Sequence, residues 1–357
     1  LKKKWKILLG IAILLIIARL LLPYFLEKYV NKTLNDIPGY EGGVSDIDVA
    51  LYRGAYVIED LWLDKENATL DAPLLNFPKS DISIEWKSLF KGRIVSEIVL
   101  HSPEMNYIFE DQKKTTPEGK PDVGDWTDAL TDLVPIKINH LEAHDGKINF
   151  VQFSADPNID LVFDNIFLYA TNLQNVRRTD TILPSTINAT ATSFGGGKAS
   201  LDGRINVMKK IPDMDVEFAL KKADVTALNE MSINAVGVDF ASGTFELYSE
   251  MAIADGYLKG YLKPMFINTE LIGEEDQGFF EKIWEGFVGV FKFLFKNQGT
   301  DTLATKAPLE GDLNNIDTGV LSTILNIFKN AWISAFTTDV DKDINYQEAV
   351  KESKEGD

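Results

Sequence analysis

From about residue 40 to residue 271, apolar side chains recur at every second position, and this period limits the fold more than any other feature of the chain. Val216, Phe218 and Leu220 alternate with Asp215, Glu217 and Lys221, and Leu201, Gly203, Ile205 and Val207 alternate with Ser200, Asp202, Arg204 and Asn206. Phe245, Leu247, Met251 and Ile253 lie across from Glu246, Tyr248 and Glu250. Successive side chains of a strand point to opposite faces, so this alternation predicts antiparallel sheet with one dry and one wet face. Glycine precedes a fresh run in LYRGAYVIEDLWL, LFKGRIVSEIVL, AHDGKINFVQF, FGGGKASLDGRINV and IADGYLKGYLKPMFI. Glycine tolerates the positive φ of hairpin turns, and the spacing predicts about fifteen strands joined as a meander.

The period changes at both ends. KKKWKILLGIAILLIIARLLLPYFL offers a mainly apolar run from Ile7 to Leu26. At about twenty residues it is long enough to cross a bilayer as a helix, and no A-x-A cleavage site follows it. Lys2, Lys3, Lys4 and Lys6 keep its start cytoplasmic and place the rest of the chain on the far side. Arg19 sits where an arginine can snorkel to the headgroups. A helical neck, EKYVNKTLNDIPGY, ends at Pro38 and Gly39. Near the other end, FFEKIWEGFVGVFKFLFKN puts Phe280, Ile283, Trp284, Phe287, Phe291 and Leu294 on one helical stripe, which predicts a cap on the sheet or a membrane contact. One further strand in TLATKAPLEGDL and a second amphipathic helix follow. The resulting division is an anchor at 1–30, a first sheet segment at 31–109, and a linker with a short helix at 110–135. The main sheet follows at 136–271, the helices and one strand at 272–338, and a polar tail at 339–357.

Little in the chain suggests chemistry. The net charge of −18 excludes nucleic acid as a partner, because phosphate binding needs a concentrated basic surface. The absence of cysteine removes thiol catalysis, disulfides and cysteine-ligated zinc. Histidine is limited to His101, His140 and His144. HLEAH has the spacing of a helical metal pair, but it spans a strand end and a DGK turn, so it predicts surface histidines. FGGGK lacks the spacing and the hydroxyl residue of a phosphate loop, since Ala199 follows Lys198. The acidic run from Asp339 has Ile344 and Val350 where a calcium loop needs glycine and glutamate. There is no G-x-S-x-G elbow. We therefore expect no enzyme activity, no cofactor, no metal and no nucleotide.

Two stretches carry a family resemblance. VSDIDVALYRGAYVIEDLWLD and DISIEWKSLFKGRIVSEIVLHSPEMNYI, after the apolar N-terminus, resemble the opening of AsmA-like bacterial envelope proteins. Ser88, Leu89, Gly92, Ile94, Ile98, Leu100 and Pro103 match the recurring element of that family. INHLEAHDGKINF, LKGYLKPMFINTEL, FFEKIWEGFVGVFKFLFKN and DTLATKAPLEGDL look like the branch called domain of unknown function 748. The resemblance spans nearly the whole chain and implies a long twisted antiparallel sheet folded into a groove for lipid acyl chains. It also implies a single-pass inner-membrane protein, largely periplasmic, that acts in glycerophospholipid movement or outer-membrane homeostasis, alone or with other envelope proteins. The groove candidates are Ile94, Ile98, Leu100, Ile205, Phe218, Leu220, Phe245, Leu247 and Met251. About fifteen strands at roughly 4.8 Å make a sheet on the order of 70 Å long, short of a complete periplasmic bridge. The competing expectation is a membrane-tethered interaction module with an ordinary sandwich core and no cargo.

Overall fold

A computed structural model describes residues 2–50, 53–66, 68, 72–111, 137–152, 158–174, 181–209, 211–236, 239–272, 302–304, 307–313, 324 and 327. Among them the chain is mainly β, with fifteen strands and few helices. It divides into two compact units, residues 1–106 with 114–146 and residues 107–113 with 147–357.

Unit 1 begins with α1 (Lys2–Asn35), followed by β1 (Tyr40–Gly43), β2 (Asp46–Ala50), β3 (Ala55–Lys65) and β4 (Leu75–Ile84). A one-turn helix α2 (Trp86–Leu89), β5 (Ser96–His101), most of β6 (Glu104–Ile108) and the first part of β7 (Ile138–Gln152) complete it. β1 and β2 both pair antiparallel with β3, β3 with β4, and β4 with β5. β5 and β7 are parallel, with Ile98 beside Leu141 and His101 beside His144, which departs from the expected all-antiparallel meander. A hairpin can join only antiparallel strands, whereas the long connection between β6 and β7 lets the chain return and restart in the same direction. The expected turn at DGK is also absent, because β7 runs through it with Asp145 held at a positive φ of 54°.

The last turns of α1 cover the dry face of this sheet. Leu22, Leu26, Val30 and Leu34 recur at four-residue spacing, which puts them on one side of the helix. They pack into a cluster with Ile47, Val49, Ile58, Leu63, Ile82 and Ile98. Two asparagines tie the helix to the first strands. Asn31 Oδ1 accepts the Val44 N–H at 2.7 Å, and Asn35 Nδ2 donates to the Gly42 carbonyl at 2.8 Å. Gly42 is required by the close approach, since a Cβ there would lie 2.7 Å from the Trp62 carbonyl oxygen and 3.1 Å from Leu34 Cβ.

α1 occupies the stretch expected to be a transmembrane helix. Among the described residues, however, no helix is long and apolar enough to cross a membrane, so the expected span is not found there. Arg19 has a protein partner instead of free headgroup contact, Asp48 on β2 at 3.5 Å, with both side chains exposed.

Unit 2 holds the rest of β7, then β8 (Ile159–Thr171), β9 (Ser185–Ser193), β10 (Lys198–Asn206) and β11 (Asp213–Asp224). It continues through α3 (Asn229–Val236), β12 (Phe240–Ala254), β13 (Tyr257–Leu271), β14 (Thr302–Ala304) and β15 (Ala307–Asp312). From β7 to β13 the strands lie in chain order, and β14 and β15 both pair with β13. TLATKAPLEGDL therefore forms two short strands where one was expected. β12 and β13 are joined by Asp255 and Gly256, both at positive φ, as a two-residue hairpin of the primed type requires. The predicted aromatic helix with Phe280, Ile283, Trp284, Phe287, Phe291 and Leu294 lies outside the described residues. So do residues 112–135 of the predicted linker, and the polar tail.

Candidate functional site

Partners across an antiparallel ladder share a face. The register therefore carries one apolar surface across unit 2. Ile187 pairs with Gly203 and Ala189 with Leu201. Leu201 pairs with Phe218, Gly203 with Val216, and Ile205 with Met214. Leu220 then pairs with Leu247, Val216 with Met251, and Met214 with Ile253. Beyond them come Phe245 with Phe266, Ser249 with Leu262, and Ile253 with Leu258. No charged side chain interrupts these positions. Gly203 sits within this surface, where the backbone of β11 comes so close that a Cβ would meet the Asp215 carbonyl oxygen at 2.7 Å.

Two ends of the surface are closed. At one, Leu220, Phe245 and Phe266 are buried against Val225, Leu228 and Phe240, with Met231 of α3 packed on them. Asp224 caps the turn that delivers Val225 and Leu228, accepting the Thr226 N–H at 3.0 Å; these bonds hold its carboxyl below the usual range. At the other end, Ile253, Leu258, Leu262, Leu309 and Leu313 form a second cluster, with Met251, Ile324 and Ile327 against it. Between the two, the face is half-open on β9 and β10, at Ile187, Leu201 and Ile205, while Val216 and Ser249 are buried and Phe218 packs against the first cluster. Met214 to Leu220 spans on the order of 20 Å at about 3.3 Å per residue.

An aromatic row runs along the first closed end. Tyr107 lies 6.0 Å from Phe150, Phe150 6.2 Å from Phe163, and Phe163 5.6 Å from Phe194. Phe194 is 6.2 Å from Phe245, which is 5.3 Å from Phe266. Such separations suit edge-to-face and offset packing. Period-two reading missed Phe150, Phe163 and Phe194, because each contributes one ring from a different strand or turn. Their only shared sign in the sequence is a phenylalanine near a strand terminus.

The opposite face is polar. Asp202 accepts from Asn188 Nδ2 at 2.6 Å, and Tyr248 donates its hydroxyl to Glu246 at 2.8 Å. Burial first, and then the bond and the charge of Glu246, push the Tyr248 hydroxyl up to about 12. Burial, and then the charge of Glu250, raise the Asp215 carboxyl. This surface is a solvated wall in which Lys198, Arg204, Lys221 and Lys263 alternate with the acids.

The three histidines meet on the wet face of unit 1. His140 and His144 each place Nε2 on Glu142, at 2.6 and 3.0 Å, and His101 stacks on His144 while contacting Asp81 Oδ2 at 2.8 Å. His140, Glu142 and His144 share one face of β7 at i, i+2 and i+4, not the helix that the histidine spacing evokes. Among the described residues no group of three or more His, Asp or Glu is arranged to hold a metal.

The groove candidates thus separate. Ile205, Phe218, Leu220, Phe245, Leu247 and Met251 share the apolar face of unit 2, with Leu220 and Phe245 in its closed end. Ile98 and Leu100 belong to the core under α1 in unit 1. Ile94 does not share their strand face, because β5 begins only at Ser96, and its side chain is exposed. The reason is local: the turn around Gly92, at φ 74°, has not yet delivered the chain to the sheet. No protein-family model matches the chain, and no curated protein is detectably similar to it.

Proposed function

We propose that this is a non-catalytic, AsmA-like envelope protein that holds or helps move lipid acyl chains on the half-open middle of the unit 2 apolar face. In this reading it sits at the bacterial inner membrane, in contact through α1, supporting outer-membrane homeostasis. The observation that carries the reading is the apolar surface itself, uninterrupted by charge across several strands, packed shut at two ends and half-open at Ile187, Leu201 and Ile205. Such an extended apolar surface marks a binding site in a protein with a charged exterior. A membrane location is supported by α1, where Ile7, Leu9, Ile11, Leu14, Ile16 and Leu20 are all exposed. Exposing so many large aliphatic groups to water is costly, whereas a bilayer accepts them at no cost.

The test is lipid extraction from the full chain purified in mild detergent, read by mass spectrometry. Bound glycerophospholipid is expected, and Leu201→Glu and Ile205→Glu, which place a charge on the half-open middle, should deplete it. A lipid-free protein, or cargo indifferent to both substitutions, sinks the reading. The well-packed clusters around Phe245 and Ile253 favour the second reading, a tethered interaction module with an ordinary core. That reading predicts no cargo in either case.

A further inference from the structure

The connection between β4 and β5 is built to present apolar side chains to solvent. Glu85 N–H donates to the Val95 carbonyl at 2.9 Å, and the Lys91 and Arg93 N–H groups donate to the Ser88 carbonyl at 2.9 and 3.0 Å, so the turn is a closed, ordered unit. Ser88 and Val95 are buried and fasten it to the sheet. Trp86, Phe90 and Ile94, at four-residue spacing, face outward and are 49%, 87% and 62% exposed. A fold able to bury Val95 leaves the three largest apolar groups of the same turn in the open. That arrangement needs an occupant.

The charges nearby identify one. Lys87 and Lys91 are exposed within the turn. The Ile84 N–H donates to the Gly54 carbonyl at 3.0 Å, which brings exposed Arg53 in the β2–β3 turn to this end of the sheet. Exposed Lys137 joins them, since its carbonyl accepts the Ser96 N–H at 2.8 Å. Four cations thus gather in a chain of net charge −18. The described acids here are Asp48, which faces Arg19, Asp81 and Glu142, which contact the histidines, Glu85, which accepts from Asn139 at 2.6 Å, and Glu97. The direction of α1 agrees. Asn35 lies at Gly42, Asn31 at Val44 and Arg19 at Asp48, so the helix runs backward along β1 and β2 toward the end that carries the 85–95 turn. The exposed aliphatic half of α1 and the turn therefore point to the same end of unit 1.

We propose that the 86–94 turn is an interfacial docking element that inserts Trp86, Phe90 and Ile94 among the headgroups of an anionic bilayer while Lys87, Lys91, Arg53 and Lys137 contact lipid phosphates. Aromatic side chains favour the headgroup level, and each cation near an anionic surface contributes roughly fivefold to association. The inference shares the membrane location with the function proposed above, but it does not require lipid as cargo. It gives the protein a second contact with the bilayer, which orients unit 1 on the surface where a single helix would let it swing.

The absence of cysteine makes the test direct. The full chain carrying Phe90→Cys or, as a control on β1 at the opposite end of the unit 1 sheet, Glu41→Cys is labelled with an environment-sensitive dye and reconstituted into phosphatidylcholine vesicles, with and without phosphatidylglycerol. Flotation reports whether the chain is on the membrane, and lipids brominated near the headgroup report the position of the dye. We expect a blue shift and quenching at position 90 but not at 41, both increased by phosphatidylglycerol, with the increase abolished by Lys87→Glu combined with Lys91→Glu. A chain that floats with the dye at 90 unshifted and unquenched overturns the docking element alone. A chain that does not float overturns the membrane location as well. Quenching at 90 that is indifferent to phosphatidylglycerol overturns the anionic preference. Extracted cargo is a separate readout that none of these outcomes decides.

Discussion

The dry face of unit 1 lies beneath α1, whose Leu22, Leu26, Val30 and Leu34 pack on it, while the dry face of unit 2 is packed at its two ends and half-buried between them. Both faces arise from the same alternation of apolar and polar residues. The difference lies in the cover. A helix one turn per 3.6 residues supplies a continuous apolar stripe for a whole sheet face, whereas short turns supply only local plugs. Unit 1 therefore has a core in the ordinary sense, and unit 2 has a core at each end with a surface between.

This contrast can be broken by substitution. The largest effect is expected at Phe245, fully buried in the aromatic row of unit 2; Phe245→Ala should cost about 3–5 kcal/mol in denaturant unfolding. Leu34→Ala removes a fully buried contact between α1 and the unit 1 sheet and should cost about 2–5 kcal/mol. Hydrogen exchange should then show lost protection in β1 to β4 and unchanged protection in β10 to β13. Asn31→Ala leaves the Val44 N–H without its partner, at about 1–3 kcal/mol, and should loosen the same strands. Leu201→Ala, on the half-open middle, should cost only about 1–2 kcal/mol. A cost equal to that of Phe245 would mean that the two positions are equally enclosed, and the distinction between ends and middle would fail.

The smallest effect is expected at the histidine ladder. The bond from His140, opposed by burial and reinforced by the bond from His144, holds the Glu142 carboxyl below its usual range. A depressed folded pKa stabilises above the ordinary carboxylate value of about 4.3, and the contribution is lost as pH falls through the lower folded value. Glu142→Gln should therefore flatten the loss of stability with acid in that window, by about 0.5 kcal/mol for a solvent-screened pair. An unchanged acid-unfolding profile would show that the ladder contributes nothing.

Most strands were legible, because alternation in Val216 to Leu220 or in Phe245 to Ile253 has only one face to bury. The turn at Asp255–Gly256 was equally legible, since the pair has the chemistry of a primed hairpin. What escaped was anything set by partners distant in sequence. DGK has the composition of a turn, yet β7 continues through it because Asp145 tolerates the positive φ and neighbouring strands supply the ladder. Ile94 has the right spacing to share a strand face with Ile98, but Gly92 and the bonds to Ser88 keep it outside the strand. The aromatic row could not be read in advance, since its rings come from separate strands and turns.

Sequence alone determined the sheet-forming period, the apolar N-terminal helix and the acidic net charge of the chain. These are local or compositional properties, and each is decided by neighbours within a few residues. Only the tertiary structure decided that β5 and β7 run parallel, that α1 covers one dry face, and that Trp86, Phe90 and Ile94 remain outside every core. Pairing direction and burial depend on which distant segments meet, and an alternating pattern names the face to be buried without naming what will bury it.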